Sequence, residues 1–293
     1  MSRKKVRLSM LNEMAGTNFE DSLQVQKSWG ITDLDLKYDV YPGKQITELT
    51  KEQAQAAKLL SLDMGFEVCC LSTNLFYDEV ELGETHFKEN HLGPVSHTIK
   101  LAEIFKPRFI RLLSPAACEA PKGLSPVGYL QDSCPWIFDQ FKKAIDQINI
   151  AGFEAVIENE VHHCVFSTPD EMVIFFEIIN KTEQVGLIWD IGNQWQMGSF
   201  PTLDDYQKLK HLIKYVHLKG GMANKGDDTL TWAGALEHTP WPVIGLVEQV
   251  IKDNLSPVIC LNPPHGNVKT GYDMNNLVKR DIDFLRASIK EVA

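Results

Sequence analysis

Long apolar runs are missing from this chain. Nowhere in its 293 residues does a segment approach the ~18 consecutive apolar residues of a membrane-spanning helix, so no membrane partner is expected. Cysteine is sparse. Six are scattered along the sequence, two of them adjacent at Cys69-Cys70, and no CxxC pair occurs. That pattern argues against a disulfide framework and for a reducing, cytoplasmic setting. Met1 to Lys5 is basic but carries no apolar stretch of signal-peptide length. No GxGxxG follows the first apolar run and no phosphate-loop signature is present, which disfavours an open nucleotide-binding sheet. There is no low-complexity tract and no linker-like stretch, so one domain over 1–293 is expected. Basic residues are outnumbered, 29 Lys and Arg against 39 Asp and Glu, for a net charge of -10. Phosphate backbones would be repelled, and no nucleic-acid partner is expected.

What the chain does contain is a repeated alternation. Short apolar runs fall at 6–10, 34–36, 66–71, 109–113, 153–157, 186–189, 215–218 and 258–261. Longer stretches with helical periodicity separate them. Eight strands with intervening helices predict a closed (β/α)8 barrel of the TIM type, a fold that reaches about 250 residues as one domain. Helix starts support this reading. Thr50 with Gln53 forms a capping-box signature, and Gly65 supplies a stop. Thr168-Pro169-Asp170-Glu171 combines a cap, a proline at the first helical position and an acid at the reciprocal position. Ser133 is expected to open the helix running through Phe141, Ile145 and Ile148. The last helix is expected over 277–292.

Polar groups cluster where the strands end. Glu158 closes the fifth run, Asp190 the sixth and His217 the seventh. A carboxylate buried at a strand end is costly unless paired or bound to metal. Two carboxylates and one imidazole suit a divalent ion, with Mn2+ foremost and Mg2+, Co2+ or Zn2+ as further choices, better than a thiolate-type structural site. Side chains two residues apart on a strand share a face. Lys219 therefore joins His217, where it can hold an oxyanion, and Glu160 joins Glu158 as a second carboxylate for proton transfer. Arg111, on the fourth run, and Asn193, three residues past Asp190, are candidates to hydrogen-bond substrate. For Arg111 a structural ion pair is an equal expectation. His163 and His265, in loops after strands, are further candidates to contact substrate, and Trp195 is one of several aromatics, with Phe76, Tyr77, Trp232 and Trp241, that can wall a bound ring or simply pack the loops down. The stretches 75–93, 114–132 and 220–241 are expected to be irregular.

Val156-Ile157-Glu158-Asn159, Trp189-Asp190-Ile191-Gly192-Asn193 with Gly198, and Val216-His217-Leu218-Lys219 resemble the motifs of the sugar phosphate isomerase/epimerase superfamily. That group is xylose isomerase-like and includes the endonuclease IV-type barrels. The Thr168-Pro169-Asp170-Glu171 helix start also fits its pattern. The resemblance implies a metal held by Glu158, Asp190 and His217, and Asn193 in contact with substrate. It further implies an enzyme acting on a carbohydrate, in a family where homodimers are common. Two positions depart from it. The family's fourth ligand, a glutamate on the last strand, falls at Asn262. Gly220 stands where relatives commonly read His-x-Lys-Asp. Asn262 can offer a carbonyl oxygen to a metal but exchanges no proton at neutral pH. The expectation is thus a metal-dependent isomerase or epimerase, with a one-base dehydratase or lyase on a keto-sugar or keto-inositol and a non-catalytic sugar-binding barrel as alternatives. An endonuclease IV-like enzyme is disfavoured by the charge and by a single histidine at a strand end.

Overall fold

The eight apolar runs become eight strands. In the computed structural model, which describes residues 5–121, 123–166, 168–223, 230–231, 234–263 and 273–293, they are β1 (Arg7–Leu11), β2 (Asp33–Leu36), β3 (Glu67–Ser72), β4 (Phe109–Leu113), β5 (Glu154–Glu158), β6 (Val185–Asp190), β7 (Ile213–Leu218) and β8 (Val258–Leu261). Each pairs in parallel with its sequence neighbours, and β1 pairs with both β2 and β8, so the sheet closes on itself. A closed parallel barrel leaves no edge strand and is covered by helices outside. No described helix is long and apolar enough to cross a membrane.

Strand alternation sorts the residues into two apolar layers. One lies between sheet and helices. The other fills the barrel and includes Cys70, Phe109, Val156, Ile188, Tyr215 and Cys260. Two residues beyond five of these inward groups stand Arg111, Glu158, Asp190, His217 and Asn262. The same period of two thus lifts polar side chains above an apolar floor, at the carboxyl end of the strands. Tyr215 and Phe109 stack within that floor, 5.5 Å between centroids. All six cysteines are free, and three of them belong to the floor.

Local chemistry sets the helix limits. Thr50 accepts from the Gln53 amide while the Gln53 side chain accepts from the Thr50 amide, and Gly65 takes a left-handed φ of 85° just past the helix Lys51–Asp63. Thr168 accepts from the Glu171 amide and opens Pro169–Ile179. Each such cap contributes about 1 kcal/mol. Ser133 does not open a helix. It ends a short one, Pro126–Ser133, capped by Ser125, and the next begins after Pro135 at Trp136–Ile150. Cys134-Pro135 breaks the chain because proline disfavours helix in the residue before it. The last helix runs Met274–Ser288, capped by Asp273.

All three segments expected to be irregular carry some structure. The stretch after β3 holds a 3-10 turn, a one-turn helix Glu84–Phe87 and a π-helical turn Lys88–Leu92. The stretch after β4 holds Pro126–Ser133. Single bridges tie the loops after β3, β4 and β5 together, Glu79 to Ala116 and Ala116 to Cys164. After β7 a two-residue ribbon pairs Met222–Ala223 with Leu230–Thr231.

Candidate active site

Glu158, Asp190 and His217 converge. Their donor atoms lie within 4.8 Å of one another, and all three residues are fully buried. Register explains this: Asp190 stands opposite His217 across β6 and β7, and Glu158 opposite Ile188 across β5 and β6. His217 Nδ1 is 2.8 Å from Glu158 Oε1. The other Glu158 oxygen, Oε2, accepts from Arg111 Nη1 at 2.5 Å. Asn262, just past β8, donates through Nδ2 to Asp190 Oδ2 at 2.9 Å. Lys219 Nζ lies 3.3 Å from the same Asp190 oxygen and donates to Asn193 Oδ1 at 2.6 Å. The structure thus brings together Arg111, Glu158, Asp190, Asn193, His217, Lys219 and Asn262 from the sequence candidates.

Arg111 is fully committed. Beyond Glu158, its Nε donates to the Thr73 carbonyl and Nη2 to the Ser72 carbonyl, both 3.2 Å. In place of an open guanidinium aimed at substrate, the structure shows a clamp on Glu158. Asn159 was named in the sequence motif without a role. Its side chain donates to the Asp190 carbonyl and accepts from the Asp190 amide, each at 2.8 Å, while Asn193 Nδ2 donates to the Asn159 carbonyl. Asn159 therefore splices the end of β5 to the end of β6. Asp190 Oδ1 accepts from the Asn193 amide and starts the short helix Ile191–Gln196.

Glycines keep this cluster tight. A Cβ at Gly192 would sit 2.7 Å from Lys219 Cγ, so glycine leaves room for the lysine stem. A Cβ at Gly220 would sit 2.2 Å from the Gly234 carbonyl oxygen. The aspartate expected there from the family pattern has no space, because the backbone at Gly234 lies against it.

Charge decides the protonation states. Burial alone would raise the Glu158 carboxyl, but His217 and Arg111 outweigh it and hold the group well below the usual carboxylate range. Burial would lower His217, and the Glu158 carboxylate outweighs that and raises it well above the usual imidazole range. Burial pushes the Asp190 carboxyl up despite Lys219. Burial also raises Glu160, and the Glu158 charge adds to the shift. Glu160 itself is half-buried in the loop after β5, where its amide donates to Cys164 Sγ at 3.3 Å.

The remaining candidates lie apart from this cluster. His163 is exposed with a left-handed backbone, and its carbonyl accepts from the Ala117 amide. Trp195 is buried and packs edge-on against Phe200. Phe76 and Trp241 are buried as well, so these loop aromatics pack the barrel's end. His265 and Trp232 lie outside the described residues. One residue with no sequence signal enters the cluster: Asp35, fully buried at the end of β2, with Oδ2 3.3 Å from His217 Nε2.

A second histidine–carboxylate group, Asp78 with His86 and His91, sits in the loop after β3. His91 Nδ1 accepts from the Phe76 amide at 2.9 Å. That bond puts the ring proton on Nε2, which faces Asp78 at 3.2 Å. The group is a hydrogen-bond chain that pins the loop, and His91 offers no lone pair to an ion.

The residues of the main cluster fit a divalent metal. Glu158 Oε1 and His217 Nδ1 meet only each other, as an ion pair at 2.8 Å that is not aligned as a hydrogen bond, and the buried Asn262 Oδ1 has no hydrogen-bond partner. A buried acceptor is rarely left so, and with the converging Glu158, Asp190 and His217 it forms a donor set of oxygen and imidazole type.

The comparisons agree with this architecture. The solved structure of a xylose isomerase-like TIM barrel protein from Mycobacterium smegmatis in complex with magnesium is 13% identical, with a TM-score of 0.72, covering 99% of this chain and 98% of that one. A 3-keto-D-glucoside 4-epimerase from E. coli is 12% identical, TM-score 0.70, covering 97% and 100%. A probable 3-DHS dehydratase involved in petrobactin synthesis, from Bacillus anthracis, is 14% identical, TM-score 0.69, covering 96% and 98%. The chain also spans 42% of a xylose isomerase-like TIM barrel/4-hydroxyphenylpyruvate dioxygenase fusion protein. At such identities the likeness is one of fold. No curated protein matches the chain by sequence. The family model for xylose isomerase-like TIM barrels matches residues 24–287, and the chain belongs to that family.

Proposed function

We propose that this protein is a divalent-metal-dependent enzyme of the sugar isomerase/epimerase type, acting beside the carbonyl of a sugar, sugar phosphate or polyol-ketone. The observation that supports the reading most is the convergence of Glu158, Asp190 and His217, whose donor atoms lie within 4.8 Å of one another, beside the unpartnered carbonyl oxygen of Asn262. Glu158, Asp190, His217 and Asn262 would hold the ion, with Mn2+ the best match and Mg2+, Co2+ or Zn2+ as alternatives. Bound there, such an ion polarises carbonyl and hydroxyl oxygens of a substrate.

The protein's own groups divide the remaining work. His217 and Arg111 keep Glu158 ionised, and Arg111 fixes it in place. Lys219, braced by Asn193, presents an ammonium that stabilises a developing oxyanion. Glu160 takes and returns the proton, since burial and Glu158 raise its carboxyl toward the range where such transfer is efficient. Asn262 stands where a second acid/base glutamate is expected, and it exchanges no proton. That favours chemistry with one base, a dehydration or a hydride-shift isomerisation, over a two-base epimerisation. Loss of a positioned base typically removes a factor of about 10² to 10⁴ in rate.

The test is a panel of ketoses and keto-inositols incubated with metal-stripped and Mn2+-loaded protein, followed by proton NMR in D2O. The proposal expects turnover only with metal; proton transfer through Glu160 incorporates solvent deuterium and loses it in Glu160→Gln, whereas a hydride shift turns over without incorporation. Equal activity with and without metal refutes metal dependence. No turnover of any substrate, with metal bound, supports a non-catalytic sugar-binding barrel instead.

A further inference from the structure

His217 has an acid on each of its nitrogens. Nδ1 is 2.8 Å from Glu158 Oε1 and Nε2 is 3.3 Å from Asp35 Oδ2. Accordingly two groupings of donor atoms share this imidazole: Glu158, Asp190 and His217 on one face, and Asp35, His217 and Cys260 on the other. A neutral imidazole carries its proton on one nitrogen and its lone pair on the other, so the two faces have different roles.

What surrounds each face assigns them. Neither ring nitrogen makes an aligned hydrogen bond; on the Nδ1 side the Glu158 Oε1 that faces it has no other partner, and Asn262 Oδ1 has none. On the Nε2 face the carboxylate is already engaged. The Ser72 hydroxyl donates to Asp35 Oδ1, and the Cys260 thiol lies 3.8 Å from Oδ2. That face is also the barrel's floor: Tyr215 packs edge-on against the His217 ring, 4.9 Å between centroids, and Cys260 sits among Cys70, Val156 and Ile188. Asp35 reaches His217 across the barrel interior, since β1 and β8 separate β2 from β7 in the sheet.

We propose that Asp35 is a positioning residue that holds the proton of His217 on Nε2 and so directs the Nδ1 lone pair at the metal position beside Glu158 and Asp190. The inference rests on the metal reading given above. Ser72 fixes Asp35, Asp35 fixes the ring, and the ring completes the donor set. A carboxylate behind a ligating histidine sets both its tautomer and its orientation, and loss of such a partner typically costs about 10- to 100-fold in metal affinity.

The experiment measures Mn2+ affinity, not activity. The full chain is stripped with EDTA and titrated with Mn2+, and free ion is read by electron paramagnetic resonance. Asp35→Leu removes the acceptor and is expected to weaken Kd by about 10- to 100-fold. Asp35→Asn keeps a carbonyl oxygen for Nε2–H and is expected to fall between parent and Asp35→Leu. Ser72→Ala, which loosens Asp35 alone, is expected to weaken Kd by a smaller factor. A folded Asp35→Leu with a Kd within about twofold of the parent overturns the role of Asp35 while leaving the metal reading standing. Should Asp35→Leu not fold, unchanged affinity in both Asp35→Asn and Ser72→Ala overturns it equally, and weakening in either supports it. A parent that takes up no Mn2+ refutes the metal reading itself, and this inference with it.

Discussion

Asn262→Asp is the most informative single change at this site. It alters one atom, replacing the Nδ2 donor that lies 2.9 Å from Asp190 Oδ2 by an oxygen. Two unit charges about 3 Å apart repel by roughly 5 kcal/mol at an effective dielectric constant of ~20. The alternative is for the pair to keep one proton, which near neutral pH costs a comparable amount for a carboxyl that ordinarily titrates near 4. Lys219 Nζ, 3.3 Å from the same oxygen, offsets part of this. The metal-free variant should therefore lose about 2–4 kcal/mol, a fall of roughly 5–10 °C in Tm for a chain of this length. The sign with pH follows. The new carboxyl titrates higher folded than unfolded, so its cost grows as pH rises from about 4 through the folded value and disappears in acid. Mn2+ would supply the missing positive charge, so saturating metal should raise Tm more in the variant than in the parent. The assay is thermal unfolding near pH 5 and pH 8, with EDTA and with Mn2+. A metal-free variant as stable as the parent at pH 8, or a deficit unchanged by acid and by metal, would refute the reasoning.

Arg111→Leu strands the Glu158 charge in the barrel, and breaking a buried pair from one side costs about 3–5 kcal/mol. His217 remains beside Glu158, so urea unfolding should show the lower end of that range, and no loss would mean that the clamp is unimportant. Asp281, buried on the last helix and accepting from the Leu236 amide at 2.7 Å, is raised by burial to about 7. A carboxyl raised on folding destabilises progressively as pH climbs from about 4 to its folded value, so Asp281→Asn should gain on the parent by on the order of 2 kcal/mol between pH 5 and 8. An advantage independent of pH would contradict the assignment. Gly220→Ala drives a methyl into the Gly234 carbonyl and should lower stability by about 1–3 kcal/mol; a neutral effect in a thermal melt would show that the segment yields freely.

The barrel was legible because each strand is a short apolar run between helical patterns, and no rival signature competed. β5 to β7 announced their chemistry because a period of two carries Glu158, Asp190 and His217 directly beyond Val156, Ile188 and Tyr215. β2 did not. Asp33-Leu34-Asp35-Leu36 offers two apolar residues, and nothing local separates Asp35 from the other acids of an acidic chain. Its meaning comes from a contact across the barrel, which no spacing encodes. Arg111 was seen but its commitment was not, because two of its partners are carbonyls of Ser72 and Thr73, known only through the register of β3 against β4. Asn159 is similar: its role needs the backbone of β6. Ser125-Pro126 carried the same cap-and-proline signal as Thr168-Pro169, yet only one turn of apolar spacing follows, too little for the helix to stand out. The spacing of His86 and His91 likewise matched no α-helical face, since the π-helical turn there places residues five apart together.

Glu158, Asp190, His217 and Asn262 are proposed to form one metal site. Crystals soaked in Mn2+ and measured for anomalous scattering test it most directly. One strong peak is expected within about 2.0–2.3 Å of a carboxylate oxygen from Glu158 and from Asp190, of His217 Nδ1 and of Asn262 Oδ1. A peak on the Asp35 side of His217, or none in protein shown to be folded, would contradict it.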